Sequence, residues 1–231
     1  MKFYGRSNRM LVESEIEKGG LMDCQIVECD LSNLDVTSTK WENTELRDLH
    51  ANDILFEEAC LAKMQCKRCS FMRARFLRTK LSGIFFDGLT LIKSQWQNCK
   101  MEASQIKNSC LQKSHFTNCR IVSSSFTDFE GLNLEMDQCI IAHSFIGISY
   151  GSGMNGFSGG NIRNCIFYNC LFDGYPLRGA TLEGCVFINC SGQIGEDMDC
   201  TNVVGLGLRG HTKHVTVNNR TEAEQILARI R

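Results

Sequence analysis

The chain has 231 residues, enough for one large or two ordinary domains, and its 25 Lys and Arg against 26 Asp and Glu leave a net charge of −1. It is therefore neither a bulk polycation nor a polyanion, and its single proline excludes a Pro-rich linker. No apolar run follows Met1–Met10 and no stretch approaches a membrane span, so neither a secretory signal nor a transmembrane anchor is expected, and fourteen cysteines point to a reducing, cytoplasmic setting rather than a disulfide framework.

Residues 1–13 read as an N-terminal cap. From Ile16 a five-residue period sets in. Stepping by five through Leu21, Ile26, Leu31, Val36, Trp41 and onward to Ile146 meets 27 positions, of which 26 are apolar in a chain that is 43% apolar. Neither a 3.6-residue helix nor a two-residue strand alternation gives that spacing, which makes it an internal repeat. The slot two residues earlier holds small or apolar residues such as Cys24, Thr44, Ala74 and Ser94. The slot two residues later favours Asp23, Asn33, Asn43, Gly83 and Asn98, types that turn a chain at low cost. Each quintet thus has two inward residues and a corner.

The glycine- and serine-rich stretch "GISYGSGMNGFSGG" then breaks the phase, which predicts an excursion loop over 147–161. The period resumes one residue out of step at Ile162 and runs to Phe187. Within it, Cys165, Cys170, Cys185 and Cys190 suggest a four-thiol zinc site. However, Phe167, Phe172, Leu177, Leu182 and Phe187 recur every five residues among them, so the cysteines read as members of the repeat. Beyond Cys190 the period is lost, and 191–220 read as irregular or as a final distorted coil. Thr221 and Glu224 form a capping box that opens a short helix carrying Ile226, Leu227 and Ile230. That helix either caps the last coil or joins a second subunit in a homodimer.

From Ser14 to Cys190 the pattern resembles the pentapeptide-repeat family, although the residue before the central one is rarely Asp or Asn; Asp30 and Asp35 are exceptions. The resemblance implies an all-β fold, a right-handed four-sided parallel β-helix (solenoid) with four quintets per coil, here followed by the short C-terminal α-helix. Twenty residues per coil then predict vertical ladders: Phe56, Phe76, Trp96 and Phe116 on one face, and Leu21, Trp41, Leu61, Leu81, Met101, Ile121 and Ile141 on another. Cys165 would stack on Cys185 and Cys170 on Cys190, as reduced packing residues. Just over eight coils at roughly 4.8 Å each give a rod about 40 Å long.

No P-loop, G-x-S-x-G or H-E-x-x-H motif occurs, and no catalytic, cofactor-binding or metal-binding residue is assigned. His211 and His214, near Cys200, read as solvated tail residues. No enzymatic activity and no cofactor are expected. The charges are more informative. Residues 13–58 carry a net of −10 and residues 59–120 a net of +10. The twenty-residue coil aligns Arg73, Lys93 and Lys113 in one outward column and Lys80, Lys100 and Arg120 in another. Both columns are expected to repel internally and to accept an acidic protein surface, and replacing the first with Gln is expected to leave stability unchanged or slightly raised. The scarcity of outward aromatics there disfavours nucleic acid. Tyr150, Met154 and Phe157, in the loop, form a second candidate binding surface.

These features predict a non-enzymatic, cytoplasmic protein-binding scaffold. The resemblance implies two alternatives: a DNA-mimicking, gyrase- or topoisomerase-interacting protein of the quinolone-resistance type, or a type III effector delivered into a host cell by a bacterium. The quinolone-resistance branch shares the loop break and the helical C-terminus but depends on an acidic surface, whereas the middle coils here are basic.

Overall fold

The computed structural model describes residues 2–5 and 9–211. The helix expected over 221–231 lies outside the described residues. Within them, one helix, Arg9–Glu17, accompanies three-residue strands that stack into three parallel sheets of nine, ten and eleven strands. A fourth side is joined only by single bridges, Asp30 to His50, Ser70, Thr90, Cys110, Glu130 and Gly156 in turn. Three sheets and a bridged side make the four-sided parallel β-helix that the resemblance implies.

The register is the twenty-residue one. On the nine-stranded face Phe56 pairs with Phe76, Phe76 with Trp96 and Trp96 with Phe116. Their rings stack at 5.0, 3.8 and 5.3 Å between centroids. On the ten-stranded face Leu21, Trp41, Leu61, Leu81, Met101, Ile121 and Ile141 form one ladder. The eleven strands of the longest sheet make ten steps, a stack about 48 Å long at roughly 4.8 Å per step. That exceeds the expected length because strands form at both ends, where the period is not legible.

At the start, Lys2–Tyr4 pairs with Gln25–Val27, and the helix follows. Ile16, the first member of the five-residue series, belongs to this helix and is buried there with Val12. The repeat proper begins at Leu21. Arg9 Nη1 donates to the carbonyls of Asp30 and Ser32, at 3.3 and 2.8 Å, and ties the helix to the first coil. At the far end, Ser191–Gln193, Asp199–Thr201, Val204–Leu206 and Arg209–His211 add a further coil. Leu182 pairs with Cys200 and Phe187 with Gly205, eighteen residues apart instead of twenty. A coil two residues short cannot be found by stepping in fives, and residues 191–211 form one.

The small slot serves a purpose beyond filling space. Many of its side chains are buried donors to backbone carbonyls, either two residues earlier, as from Ser104 to Glu102 and Ser109 to Lys107, or in the preceding coil. Thr79 Oγ1 reaches the Phe56 oxygen at 2.8 Å, Ser114 Oγ the Leu91 oxygen at 2.6 Å, and Cys99 Sγ the Phe76 oxygen at 3.0 Å. Cys185 and Cys190 bond the carbonyls of Ile162 and Phe167 in the same way. Ser, Thr and Cys are interchangeable there because each is small and carries one rotatable donor. This accounts for the richness in cysteine: all fourteen are free thiols, and eleven are buried. Burial pushes the Cys69 thiol up to about 11 and holds that of Cys66 well above its ordinary value. A thiol-reactive disulfide reagent should therefore titrate at most the half-buried Cys60, Cys110 and Cys200 in the native protein, and all fourteen cysteines after denaturation. Rapid native reaction at Cys99 or Cys139 would contradict the ladder.

The loop break is also explained. Met136 pairs with Ile162 and Ile141 with Phe167, each 26 residues apart, so one coil carries six extra residues. Gly156 rejoins the bridged side opposite Glu130, so the chain leaves the helix over 148–155, not over 147–161. Phe157 is buried, 4% exposed, with its ring 4.9 Å edge-on from Phe129. These two rings occupy the space beside Gly131, the one non-apolar member of the series, where a Cβ would overlap the Gly156 oxygen and crowd the Phe129 ring.

Candidate functional site

Each corner residue adopts a left-handed backbone whatever its side chain: φ is 55° at Arg73, 58° at Lys93 and 55° at Lys113, as it is near 50° at Asn98 and Asn118. A left-handed conformation costs a residue with a Cβ roughly 1–2 kcal/mol, less for Asn. It also points the side chain outward at a vertex, while the amide bonds to the next coil, as Arg73 N does to the Ile92 oxygen at 2.9 Å. Corner residues twenty apart therefore stand directly above one another.

The acidic coils and the first basic coil exploit this stacking. Arg68 grips Asp48 with two hydrogen bonds of 2.6 Å, and Arg73 grips Asp53 with bonds of 2.7 and 2.6 Å. Arg78 reaches both Glu58, at 2.9 Å, and Glu57, and Lys63 lies 3.7 Å from Glu42. Four of the seven bases over 63–80, Lys63, Arg68, Arg73 and Arg78, are thus matched by carboxylates one coil earlier. Arg73, expected to repel Lys93, is instead held by Asp53. The expected indifference of stability to Arg73→Gln is corrected accordingly.

These contacts set a pH dependence. The Arg68 hydrogen bonds hold the Asp48 carboxyl below its ordinary 3.8, and those of Arg73 do the same for Asp53. The Lys40 hydrogen bond keeps Glu42 below its ordinary 4.5, and that of Arg47 does so for Glu45. A carboxyl with a lowered folded pKa contributes stability that is full above its unfolded pKa and is lost as pH falls through the folded value. Stability should therefore hold from neutrality to about pH 4.5 and fall below pH 3.8. Melting followed by circular dichroism across this range should show the fall, and Asp48→Asn with Asp53→Asn should flatten it. An unchanged acid slope in that double variant would contradict the pairing.

Further along, the balance changes. Lys80, Lys93, Lys100 and Lys113 are exposed and make no ion pair among the described residues. Lys80 stands beside Lys100 and Lys100 beside Arg120 in ladder register. Between the two columns lies the outer surface of the nine-stranded face, with exposed Gln95, Gln97, His115 and Thr117. Asn118 Nδ2 donates to Asn98 Oδ1 at 2.6 Å along its edge. The arrangement is a polar floor of donors and acceptors flanked by two cationic rims.

The loop residues separate. Tyr150 is fully exposed, Met154 is half-buried beside a cleft of about 370 Å³ together with Tyr175, Arg178 and Asp197, and Phe157 is core. Phe157 is therefore unavailable to a partner. A third surface is legible in the structure and was not singled out from the sequence. On the ten-stranded face the outward positions change from Lys80, Ser82, Lys100 and Glu102 to Ile140, Ala142, Ile166, Tyr168, Val186, Ile188, Val204 and Leu206. The signal was available in those same slots, outside the inward series. Among the described residues no group of three or more His, Cys, Asp or Glu side chains is placed to hold a metal ion.

No family model matches the chain, and no curated protein matches it. Solved structures resemble it in fold. A trypsin-treated variant of QnrB1, a plasmid-mediated fluoroquinolone resistance protein, aligns at 11% identity over 90% of this chain and 86% of its own, with a TM-score of 0.44. HetL, a pentapeptide repeat protein involved in heterocyst differentiation regulation from the cyanobacterium Nostoc sp. strain PCC 7120, aligns at 11% identity over 84% and 91%, with a TM-score of 0.31. The Agl-KA catalytic domain aligns at 13% identity over 87% of this chain and 54% of its own, with a TM-score of 0.41. The five-residue period and its twenty-residue register through three stacked parallel sheets make this chain a four-sided parallel β-helix built on a five-residue repeat.

Proposed function

We propose that the protein is a non-enzymatic scaffold that binds a protein partner through an acidic surface, using the nine-stranded face between the lysine columns of Lys93 and Lys113 and of Lys80, Lys100 and Arg120. One observation carries this reading. Four lysines are held outward in register with no ion pair among the described residues, while Arg68, Arg73 and Arg78, in the coil before Lys93 and Lys100, are each matched to a carboxylate. Lys93 and Lys113 also occupy left-handed corners, where Asn or Gly would be less strained. Neither pairing nor backbone preference accounts for lysine at these positions. Stacked like charges lower stability slightly, and an anionic partner would relieve that repulsion while drawing specificity from the Gln and Asn floor.

The test is affinity capture from the native cytosol with full-length wild type and with a variant carrying Lys80→Gln, Lys93→Gln, Lys100→Gln and Lys113→Gln. Wild type should retain an acidic protein whose capture falls steeply with ionic strength, and the variant should lose it without losing its circular dichroism. Salt-independent capture, or equal capture by the variant, would move the interaction elsewhere. DNA mimicry needs an anionic surface, so the basic middle coils favour the scaffold reading. A gyrase supercoiling assay with the purified protein separates the two, with unchanged supercoiling expected.

A further inference from the structure

We propose that the apolar outer surface of the ten-stranded face is the docking site of the chain's own C-terminal segment, 212–231. Along most of the β-helix the strands alternate, with the central residue inside and its neighbours outside. Val186–Ile188 departs from this: all three residues are buried, with outward Val186 at 8% and outward Ile188 at 2% exposure. Outward Ala142 is also at 2%. In the same two columns earlier in the stack, Lys80, Ser82, Lys100 and Glu102 are exposed. A strand with apolar residues on both sides is one that is covered on both sides. From Ile140 to Leu206 all eight outward positions are apolar, while the flanking corners are polar: Asn164 and Asn202 on one side, His143 and Asn189 on the other. That makes a bounded stripe rather than scattered exposed residues.

The C-terminal segment matches the stripe in pattern and reach. Ala223, Ile226, Leu227 and Ile230 fall at i, i+3, i+4 and i+7, one face of a helix opened by the Thr221 and Glu224 capping box. Eleven residues of helix measure about 16 Å. The stripe's four strands make three steps, about 14 Å. Residues 212–220 can span up to about 30 Å when extended, ample to pass from Arg209–His211 on the eleven-stranded face round one corner to the neighbouring side. A segment so placed lies along the side of the rod and leaves its end uncovered.

The experiment uses the full chain with the photo-reactive residue benzoylphenylalanine in place of Tyr168, which preserves an aromatic ring at a half-buried outward site. Irradiation should give a cross-link between this position and a peptide from 221–231, in a species of monomer mass. A second full-length variant, Ile226→Asp with Ile230→Asp, should abolish that cross-link and raise the fluorescence of a hydrophobic dye several-fold. A cross-link to the same peptide at dimer mass would overturn the proposal in favour of a second copy of the chain. No cross-link to the segment, with dye binding unaltered by the aspartates, would overturn it as well.

Discussion

Phe76→Ala should lower stability by about 3–5 kcal/mol, the largest single-residue loss expected within the coils. The ring is 1% exposed and is stacked against Phe56 at 5.0 Å and Trp96 at 3.8 Å, with interplanar angles of 12° and 8°. Its neighbours are each fixed by a backbone ladder one coil away, so they cannot collapse into the space a deleted ring leaves. The cavity therefore persists, and the cost is transfer plus cavity. Phe116→Ala should fall lower in the same range, because its next neighbour in the ladder is the adaptable Met136. Urea unfolding followed by tryptophan fluorescence measures both. The control is Leu77→Ala, one residue along and pointing outward, which should change stability by no more than about 0.5 kcal/mol. Equal losses at Phe76 and Leu77 would mean that the inward register is wrong.

Gly20→Ala should detach the N-terminal helix from the first coil. Gly20 joins the helix Arg9–Glu17 to the ladder, with φ at +138° after Gly19 at +114°, and it pairs directly with Lys40. A Cβ there would overlap the Lys40 carbonyl oxygen, a backbone atom that cannot move without breaking the ladder. Strained backbone alone costs about 1–3 kcal/mol, and the overlap adds to it. Amide exchange should rise through Arg9–Met22, with Val12 and Ile16 uncovered, while the middle coils keep their protection. Protection unchanged at both ends would show that the junction tolerates a side chain.

The coils could be read from the sequence because a solenoid repeats one local problem, so a period in the chain becomes a period in space. The ladders of Phe56 to Phe116 and of Leu21 to Ile141 followed from the register alone. The parts that were not legible each break the period for a physical reason. The N-terminal helix carries Ile16 in phase by coincidence, the last coil is two residues short, and six residues are inserted before Ile162. Phe157 looked like a loop residue because its neighbours are glycines; only the rejoining of Gly156 to Glu130 shows that it fills the core beside Gly131. The candidate site was half legible. Column alignment followed from the twenty-residue coil, but which cations are matched depended on acids twenty residues earlier, as with Asp53 under Arg73. The apolar side from Ile140 to Leu206 lay in outward slots that an inward series passes over.

The proposed division of the bases, into those paired across coils and those left unpaired for a partner, is most directly tested by thermal melting of single and paired charge variants. Arg73→Gln should lower the melting temperature. Together with Asp53→Asn it should cost less than the two losses added, because the two remove one shared contact. Lys93→Gln and Lys113→Gln, in the same column, should leave the melting temperature unchanged or slightly raised, as repulsion between stacked cations disappears. Equal destabilisation by Arg73→Gln and Lys93→Gln, or strict additivity of Arg73→Gln with Asp53→Asn, would contradict the account.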